Sequence, residues 1–549
     1  MRLVSTAVAV SCCLALTMCI GATGCMPSPD TPSTGSAGSN ATAGTSGGAG
    51  TSGSAGTTGV AGSGDAGTTG VAGSNAGTTG SAGTTGSGGA ISTAGTTGSA
   101  GRGGTTGSAG RGGTTGAAGS AVAGTTGSGG GSANCVTQSS SISTKIGTVG
   151  IVMWSTTMAG AMSAKIDFGL TTSYGMTAPV ATLASMNKTL LLGMKTQRMY
   201  NYKITVMGSG GTALCESPNY MIMTGSLPTG LMKPTLSPTT ATGLSGGFLI
   251  TALYQGTPVT AFILDADGDY VWAYGGVGSA LTGARMSYDG QYMWINNANV
   301  PDSAAVVHRV SMDGLQDDNY SSAFAKMNHQ MAVLPDETVA YYAYGANGCD
   351  DVKEFKPSGA APGGTGRTVV NSKTALGISD TMCHLNNIQY WKDDDTLTFS
   401  NLQSSQIAKV KRSDGSKVWV LNGSTATITG VTWTGGNHGI HLLGLDHLLI
   451  FNNNNGGTGG SIVREYMLNL TAKSGTQIWS YTASPAQNNQ VMGDIQRLPN
   501  GNTIVCYSTR GIIDEVNAQG MLLQRMTAAG TGNFGYIEKR PTLYGPPPR

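Results

Sequence analysis

The chain has 549 residues, a formal net charge of +2 and only 11% charged residues. Because it contains no basic run that could neutralise phosphates, its composition argues against nucleic acid as a partner. Ser, Thr, Asn and Gly supply most of the polarity instead.

The N-terminus has the pattern of a bacterial export signal. Arg2 precedes an apolar core from Val8 to Ile20, and small residues follow. The segment Ala22-Thr23-Gly24-Cys25 resembles a lipobox, with Ala where Leu is usual, which implies cleavage before Cys25 and a diacylglyceryl group on its sulfur. The alternative is an ordinary secretory peptide cut nearby. The apolar core is too short for a stable membrane span, so residues 1–25 are predicted to be a lipoprotein signal peptide.

Residues 26–134 consist mainly of Gly, Ser, Thr and Ala in a repeating pattern. Such a segment has little to bury and would lose much backbone entropy on ordering. We therefore expect a disordered tether between the lipid and the folded part. The resulting picture is an extracytoplasmic protein whose only membrane attachment is its lipid anchor, in the periplasm or on the outer-membrane surface.

Nine cysteines are present, and five remain after the signal and lipid positions are set aside. Cys135 and Cys215 flank one small predicted domain, so they are predicted to pair, and Cys349 with Cys383 is the second predicted disulfide. Cys506 lies in an apolar strand and is expected to be a buried free thiol. Zinc binding is the rival interpretation, but the mature chain has no C-x-x-C motif.

Residues 135–227 are predicted to form a small β-sandwich, because five apolar stretches are separated by turn residues. The predicted strands are Gly147–Ser155, Ala161–Phe168, Asn187–Leu192, Arg198–Met207 and Asn219–Thr224. The run from Tyr200 to Val206 resembles a fibronectin type III domain, in which a tyrosine near this strand often bonds back to the chain. We expect no chemistry in this domain.

Residues 228–549 show two alternating submotifs, which predict a β-propeller. One is a Gly turn followed four residues later by Trp, as at Trp272, Trp419 and Trp479; the other is a strand–turn–strand unit. Together they make a blade of about 50 residues, so this region holds roughly six blades. The tryptophans are expected to pack between blades rather than to bind a ligand.

Three of the six histidines open strand–turn–strand units: His329, His384 and His438. A fourth unit has Gly493 at that place. Because equivalent positions of a propeller lie at one height around its axis, these histidines are predicted to meet in one pocket. A divalent metal on the three imidazoles is an alternative. His308, His441 and His447 are interpreted as structural residues.

Three segments of the chain resemble the arylsulfotransferases of the bacterial periplasm. They are Asp380–Ile388 with Asp393–Ser400, Trp433–His438, and Gly493–Thr503. The resemblance covers about residues 140–545 and implies a small N-terminal β-domain followed by a six-bladed propeller. It also implies that a phenolic sulfate ester donates its sulfuryl group to a catalytic histidine, that a second phenol accepts it, and that no nucleotide donor, metal or other cofactor is needed.

By matching motifs, His438 corresponds to the nucleophile. His329 and His384 correspond to the residues that bind sulfuryl oxygens and handle protons, and Asn386 to a hydrogen-bond donor in the H-x-N motif. A neutral imidazole is a good nucleophile near neutral pH, and pre-set N–H donors stabilise the charge of a transferring sulfuryl group.

The chain departs from the family at one place: the arginine expected after H-x-N is absent, and Leu402-Gln403 stands there. Arg464 and Arg510 are candidates to replace it. A second hypothesis is therefore a non-catalytic propeller lipoprotein that binds a small anion, a glycan or a protein. A quinone-dependent dehydrogenase propeller is a third, disfavoured because the chain lacks its longer Trp-rich repeats and an adjacent Cys pair.

Overall fold

The computed structural model describes residues 135–255, 260–278, 281–297, 305–345, 349–379, 383–455 and 457–548. The predicted signal peptide, Cys25 and the tether 26–134 lie outside these ranges. The described part is almost entirely β-strand, which confirms the predicted all-β class. Within it, no helix is long and apolar enough to cross a membrane.

The N-terminal part of the described chain is a sandwich of two antiparallel sheets. One sheet has the order β1-β2-β5; the other has the order β4-β3-β6-β7, with β8 also paired to β6. The strands are β1 Val136–Ile142, β2 Gly150–Thr156, β3 Ser163–Gly169, β4 Met176–Val180, β5 Asn187–Leu191, β6 Met199–Met207, β7 Ala213–Glu216 and β8 Tyr220–Met223.

The sequence predicted five of these strands and missed β1, β4 and β7. The missed strands lack a clear apolar alternation: β1 is rich in Ser and mostly exposed, β7 is exposed, and β4 contains Pro179. Strands at sheet edges need no inward-facing apolar row, so their sequences carry little β signal. The predicted strand β3 shows the alternation plainly, with Ala164, Ile166 and Phe168 buried.

Two predicted features of the sandwich are present. The backbone N–H of Lys195 donates to the hydroxyl of Tyr200 at 2.8 Å, which is the predicted bond from a tyrosine back to the chain. Cys135 and Cys215 form a disulfide. The likeness to fibronectin type III stays a prediction.

The described strands from β10 onward form six sheets of four or five strands, which are the six blades of a propeller. Blade 1 contains β10 Phe248–Gln255, β11 Thr260–Leu264 and β12 Tyr270–Gly275. Blade 2 contains β13 Leu281–Met286, β14 Tyr292–Asn297, β15 Val307–Ser311 and β16 Asp317–Asn319. Blade 3 contains β17 Met327–Val333, β18 Val339–Tyr344, β19 Asp350–Pro357 and β20 Gly364–Asn371.

A five-residue helix, α1 Ser372–Leu376, leads to the next blade. Blade 4 contains β21 Leu385–Trp391, β22 Thr396–Asn401, β23 Gln406–Lys411 and β24 Lys417–Leu421. Blade 5 contains β25 Asn437–Leu442, β26 His447–Asn452, β27 Ile462–Asn469 and β28 Ser474–Thr482. Blade 6 contains β29 Asp494–Arg497, β30 Thr503–Tyr507, β31 Ile512–Val516 and β32 Leu522–Thr527.

The ring is closed by both ends of the propeller segment. The C-terminal strands β33 Asn533–Phe534 and β34 Glu538–Arg540 pair with β10 and supply the innermost strand of blade 1. The early strand β9 Thr235–Ser237 pairs with β32 in blade 6. These pairings cover sheet edges that would otherwise be open.

The tryptophans pack between blades, as predicted. Trp272 of blade 1 is 1% exposed, and its indole N–H donates to the carbonyl of Met312 in blade 2 at 2.9 Å. Trp419 of blade 4 is buried in one cluster with Ile440 and Ile450 of blade 5. Each ring therefore fixes the angle between two neighbouring sheets.

The innermost strands of four blades carry a β-bulge near their N-terminal ends. The bulges leave Thr282, His329, Asn386 and His438 outside the regular ladder of blades 2 to 5. In blade 1, Tyr536 occupies the gap between β33 and β34. A bulge re-aims a side chain, and here it brings residues from separate blades together at the axis.

Candidate active site

The three predicted histidines lie together. Nε2 of His329 is 3.0 Å from Nε2 of His384. The ring centre of His329 is 5.0 Å from that of His384 and 5.7 Å from that of His438. His329 and His438 are buried, and His384 is partly buried. We call this group the histidine cluster.

The expectation that all three occupy equivalent places holds for two of them and is wrong for His384. His329 and His438 both sit on the bulges, each after an asparagine, whereas the bulge of blade 4 is occupied by Asn386. His384 precedes β21 and reaches the cluster from the preceding loop. This loop is held by the predicted disulfide Cys349–Cys383 and by a 2.9 Å hydrogen bond from the backbone N–H of His384 to Asn401.

Gly493, at the corresponding place in blade 6, is required by its surroundings. Its φ of +113° is in the region that favours glycine. A Cβ atom there would stand 2.2 Å from the Phe451 ring. Blade 6 consequently contributes no side chain at this position, and a neighbouring aromatic ring fills the space.

His438 has one ring nitrogen engaged and one free of protein partners. Its Nδ1 is 2.7 Å from Oδ1 of Asn453. Its Nε2 is buried and has no hydrogen-bond partner among the described residues. Burial lowers the pKa of His438 to about 3, so the ring is neutral at neutral pH.

The hydrogen bond with Tyr536 determines which ring nitrogen of His329 carries the proton. The Tyr536 hydroxyl donates its one hydrogen to the carbonyl of Asn386 at 3.0 Å, so its oxygen accepts from Nδ1 of His329 at 3.2 Å. Burial holds the pKa of His329 well below its ordinary value, and the ring therefore carries a single proton. Since Nδ1 holds that proton, Nε2 of His329 is the acceptor and His384 is the donor in the 3.0 Å contact.

The backbone at His329 is in the left-handed region, with φ of +48°. This conformation is unfavourable for a residue with a Cβ and persists only where the surroundings hold it. Here the carbonyl of His329 accepts hydrogen bonds from Asn296 and Thr282 of blade 2, which hold it in place.

Asn386 lies at the histidine cluster, and its side-chain amide uses only one of its two N–H hydrogens within the protein. Its Nδ2 donates to the carbonyl of Asn437 at 3.0 Å, and its buried Oδ1 has no partner among the described residues. One amide hydrogen is left for a ligand. The role of Asn386 as a donor to the substrate stays a prediction.

No lysine or arginine of the described chain hydrogen-bonds to the three imidazoles. At the place of the expected arginine, Leu402 packs against Gly436. Arg464, one suggested substitute, bonds to Gln477 between the outer strands of blade 5. Arg285, on the inner strand of blade 2, is engaged by Asp494 and the carbonyl of Ile537. Neutral donors thus dominate the histidine cluster.

The other three histidines have structural partners, as expected. Nδ1 of His441 accepts from the backbone N–H of Arg497 at 2.9 Å, which links blades 5 and 6. His308 lies 2.6 Å from Asp317, and His447 lies 2.6 Å from Glu465. Cys506 is a buried free thiol, also as predicted.

A cavity of about 640 Å³ lies farther along the inner strands. Its walls include Arg285, Gln330, Gln389, His441, Asp494 and Glu538. None of the three cluster histidines is among its lining residues, so it is a space separate from the histidine cluster.

Two residues of the site, Asn453 and Tyr536, were missed by the sequence reasoning. Neither belongs to a repeated motif: Asn453 follows β26 in a run of asparagines, and Tyr536 lies in the closing segment of the ring. A count of which strand would complete blade 1 could have pointed to Tyr536. No comparable signal identifies Asn453.

Three solved structures show remote likeness to the chain. TolB from Acinetobacter baumannii is 11% identical, with a TM-score of 0.39, over 63% of this chain and 80% of that chain. The Cps50 (Swd1) β-propeller domain from Myceliophteria thermophila is 11% identical, with a TM-score of 0.36, over 54% and 91%. A streptogramin B lyase is 13% identical, with a TM-score of 0.32, over 52% and 75%.

A search of curated proteins found no match to this chain. The family model described as "Arylsulfotransferase (ASST)" matches residues 379–531, the segment that holds His384, Asn386 and His438. Over that segment the resemblance noted from the motifs is confirmed, and the chain is similar to the arylsulfotransferases.

Proposed function

We propose that the protein is an arylsulfotransferase that moves a sulfuryl group from a phenolic sulfate ester to a phenol through a sulfo-histidine on His438. The observation that carries this proposal is the state of Nε2 in His438. This nitrogen is buried and without a protein partner among the described residues, its ring is neutral, and it lies beside two further imidazoles.

In the first half-reaction, the lone pair on Nε2 of His438 attacks the sulfur of the ester. The N–S bond forms as the S–O bond to the phenol breaks, and the electron pair of that bond leaves on the phenolate oxygen. The product is an N-sulfo imidazolium with a neutral overall charge. Splitting the transfer into two displacements lowers the barrier of each.

The pair of His329 and His384 handles the proton. A bound sulfate ester carries one negative charge, which favours a protonated imidazole nearby and opposes the effect of burial. The pair therefore takes up one proton together with the donor and gives it to the leaving phenolate. His384 is the more exposed of the two and is the one that contacts solvent and substrate.

In the second half-reaction, the acceptor phenol gives its proton to the same pair, and its oxygen attacks the sulfur. The N–S bond breaks, the electron pair returns to Nε2 of His438, and the new sulfate ester leaves. The remaining N–H of Asn386 stabilises the sulfuryl oxygens in place of the missing arginine, together with the second N–H that His384 gains when the pair is protonated.

Phenolic sulfates are the proposed class of sulfuryl donor, and phenols are the proposed class of acceptor. The likeness of residues 379–531 to the arylsulfotransferases supports the pairing of donor and acceptor. We also propose an envelope location with the lipid anchor at Cys25; the two disulfides of the described chain support an oxidising compartment.

The test is the release of 4-nitrophenolate from 4-nitrophenyl sulfate by the full chain, with and without excess phenol. We expect release that depends on phenol, and transfer of ³⁵S label from the donor to the protein when phenol is omitted. His438→Gln should lose both signals. His441→Gln is the matched control, because it changes a partly buried histidine of the same strand that has a structural role.

The alternative function is a non-catalytic propeller lipoprotein that binds a small anion, a glycan or a protein. The observation in its favour is Leu402 at the place of the arginine. A wild-type protein that melts cooperatively and yet shows neither release nor label with several aryl sulfates would reject the transferase and favour this alternative.

A further inference from the structure

Asn453 stands directly after β26 and makes three hydrogen bonds with its side chain. Its Nδ2 donates to the carbonyl of Asn489 at 2.7 Å and to the carbonyl of Met492 at 2.8 Å. Its Oδ1 faces Nδ1 of His438 at 2.7 Å. The side chain is fully buried.

The two carbonyl partners fix the orientation of this amide. A carbonyl oxygen only accepts, so the atom that faces Asn489 and Met492 must be the amide nitrogen. The atom that faces His438 is then the amide oxygen, which also only accepts. Nδ1 of His438 must therefore carry the ring proton. Because the neutral ring has one N–H, its Nε2 is left with a free lone pair.

We propose that Asn453 is the positioning residue that holds His438 in the tautomer with a free Nε2. The inference rests on the proposed function for its catalytic consequence, but the tautomer itself is a property of the resting protein. The hydrogen bond made by one ring nitrogen of a histidine sets which nitrogen is protonated. Without Asn453, neither ring nitrogen of His438 has a hydrogen-bond partner among the described residues, so the proton is no longer held on Nδ1.

The same contact acts in the intermediate. When Nε2 carries the sulfuryl group, the ring becomes an imidazolium and its Nδ1–H becomes a charged donor. A hydrogen bond from a charged donor is stronger than one between neutral groups. Asn453 therefore binds the sulfo-histidine more tightly than the free histidine, which favours its formation.

The segment behind Asn453 is itself well held. Nδ2 of Asn489 donates to the carbonyl of Met492 at 2.9 Å, and its Oδ1 accepts from the hydroxyl of Thr509 at 2.8 Å. The hydroxyl of Ser461 bonds to the carbonyls of Asn453 and Asn489. These contacts make the amide a fixed acceptor rather than a mobile one.

The decisive measurement is the tautomer of His438 by ¹⁵N NMR of the full chain labelled at histidine, which has only six such residues. Nitrogen shifts and two-bond couplings distinguish a protonated from an unprotonated ring nitrogen. In the wild type we expect Nδ1 protonated and Nε2 bare. Loss of the His438 signals in His438→Gln assigns them.

Two variants test whether the acceptor oxygen of residue 453 determines the tautomer of His438. Asn453→Leu removes the acceptor, and we expect the proton of His438 to move to Nε2 in a large fraction of molecules. Asn453→Asp keeps an acceptor, and we expect the wild-type tautomer. Asn489→Ala, which loosens the same segment without touching His438, is the matched control and should also keep the wild-type tautomer.

We expect the turnover number of each variant to depend on the fraction of molecules in which Nε2 of His438 is unprotonated. We expect kcat of Asn453→Leu to fall at least about tenfold, the scale of the effect when a partner that orients a histidine is lost, with little change in KM. Asn453→Asp should recover most of that loss. A bare Nε2 in Asn453→Leu, or a tautomer switch in Asn489→Ala, would overturn the assignment. A wild type with the expected tautomer but no turnover would instead reject the proposed function and leave the tautomer assignment standing.

Discussion

The hydroxyl oxygen of Tyr536 lies 3.2 Å from Nδ1 of His329, although 207 positions separate the two residues in the chain. Tyr536 belongs to the closing segment of blade 1, and His329 lies on the inner strand of blade 3. The segment that closes the ring therefore also completes the histidine cluster. Folding of the propeller and assembly of the site are therefore coupled through the C-terminal strands β33 and β34, which both pair with β10.

The first prediction concerns Tyr536→Phe. This variant leaves the N–H of His329 and the carbonyl of Asn386 without partners, so we expect a loss of about 1–3 kcal/mol in the free energy of unfolding. The freed His329 proton also disturbs the pair that serves the leaving phenolate, and kcat should fall. Chemical denaturation and initial rates with 4-nitrophenyl sulfate measure the two effects.

Tyr320→Phe is the control for this experiment, because Tyr320 is also fully buried but its hydroxyl has no hydrogen-bond partner in the described chain. Its removal should change neither stability nor kcat much. Equal effects of the two substitutions would mean that the contact with His329 has no special role.

The site residues that occur in repeated sequence motifs could be predicted from the sequence. His329 and His438 each follow an asparagine and open an apolar strand, so their convergence on the axis follows from the propeller alone. His384 was placed in the right cluster for a partly wrong reason. His384 lies in the loop before the inner strand of blade 4, and the bulge of that strand is at Asn386, two residues later. The sequence motif does not show where the bulge lies.

Asn453 and Tyr536 were out of reach of the sequence for physical reasons. The role of Asn453 depends on which way an amide is turned, and backbone carbonyls distant in the chain decide that. Tyr536 acts only after the last strand has joined the first blade. Likewise, strands β1 and β7 were missed because edge strands with exposed polar side chains lack the apolar alternation that marks a half-buried strand.

The second prediction concerns the pH dependence of kcat/KM. Burial lowers the pKa of His438 to about 3 and lowers the pKa of His384. Because the nucleophile must be neutral, lowering the pH inactivates the free enzyme only when the depressed pKa of His438 is reached. The acid limb of kcat/KM should therefore lie below 6.5, the ordinary value for histidine. Rates between pH 4 and pH 8 measure it.

Short exposures to acid, followed by assay at neutral pH, separate this titration from unfolding. A limb centred near 6.5 or higher, in protein that regains full activity, would show that the nucleophile is in contact with water or with an anion in the free enzyme.

The third prediction concerns stability at acid pH. The folded pKa of His438 is about 3, below that of the unfolded chain, so the unfolded state binds a proton that the folded state refuses between these values. Stability is then present in full above about pH 6.5 and falls as the pH drops through this window, by up to about 2 kcal/mol between pH 6.5 and pH 5. His438→Gln removes this contribution.

Urea denaturation of the wild type and of His438→Gln at pH 7.5 and pH 5 provides the comparison. The difference between the two proteins should shift in favour of the variant at pH 5. Parallel losses of stability would place the acid sensitivity in other groups, such as His441, whose pKa burial lowers to about 4.

The fourth prediction concerns Arg540 at the closure of the ring. Its guanidinium is 1% exposed and donates to the carbonyls of Met286 at 2.7 Å and Gly545 at 2.9 Å, and it pairs with Glu538 at 2.6 Å. It thus joins the closing strand β34 to blade 2. Removing one partner of a buried ion pair leaves an uncompensated charge, so Arg540→Met should lose about 3–5 kcal/mol in the free energy of unfolding.

Arg464→Met is the comparison for this variant, because Arg464 bonds to Gln477 within blade 5 and does not join two blades. We expect it to lose less than about 1 kcal/mol, as exposed polar contacts usually do. Since β34 begins two residues after Tyr536, Arg540→Met should also lose activity at temperatures below its melting point, as the closing segment loosens before the ring unfolds. If Arg540→Met were as stable and as active as Arg464→Met, strand pairing with β10 would hold the closure without the guanidinium, and the coupling between closure and site would rest on the backbone alone.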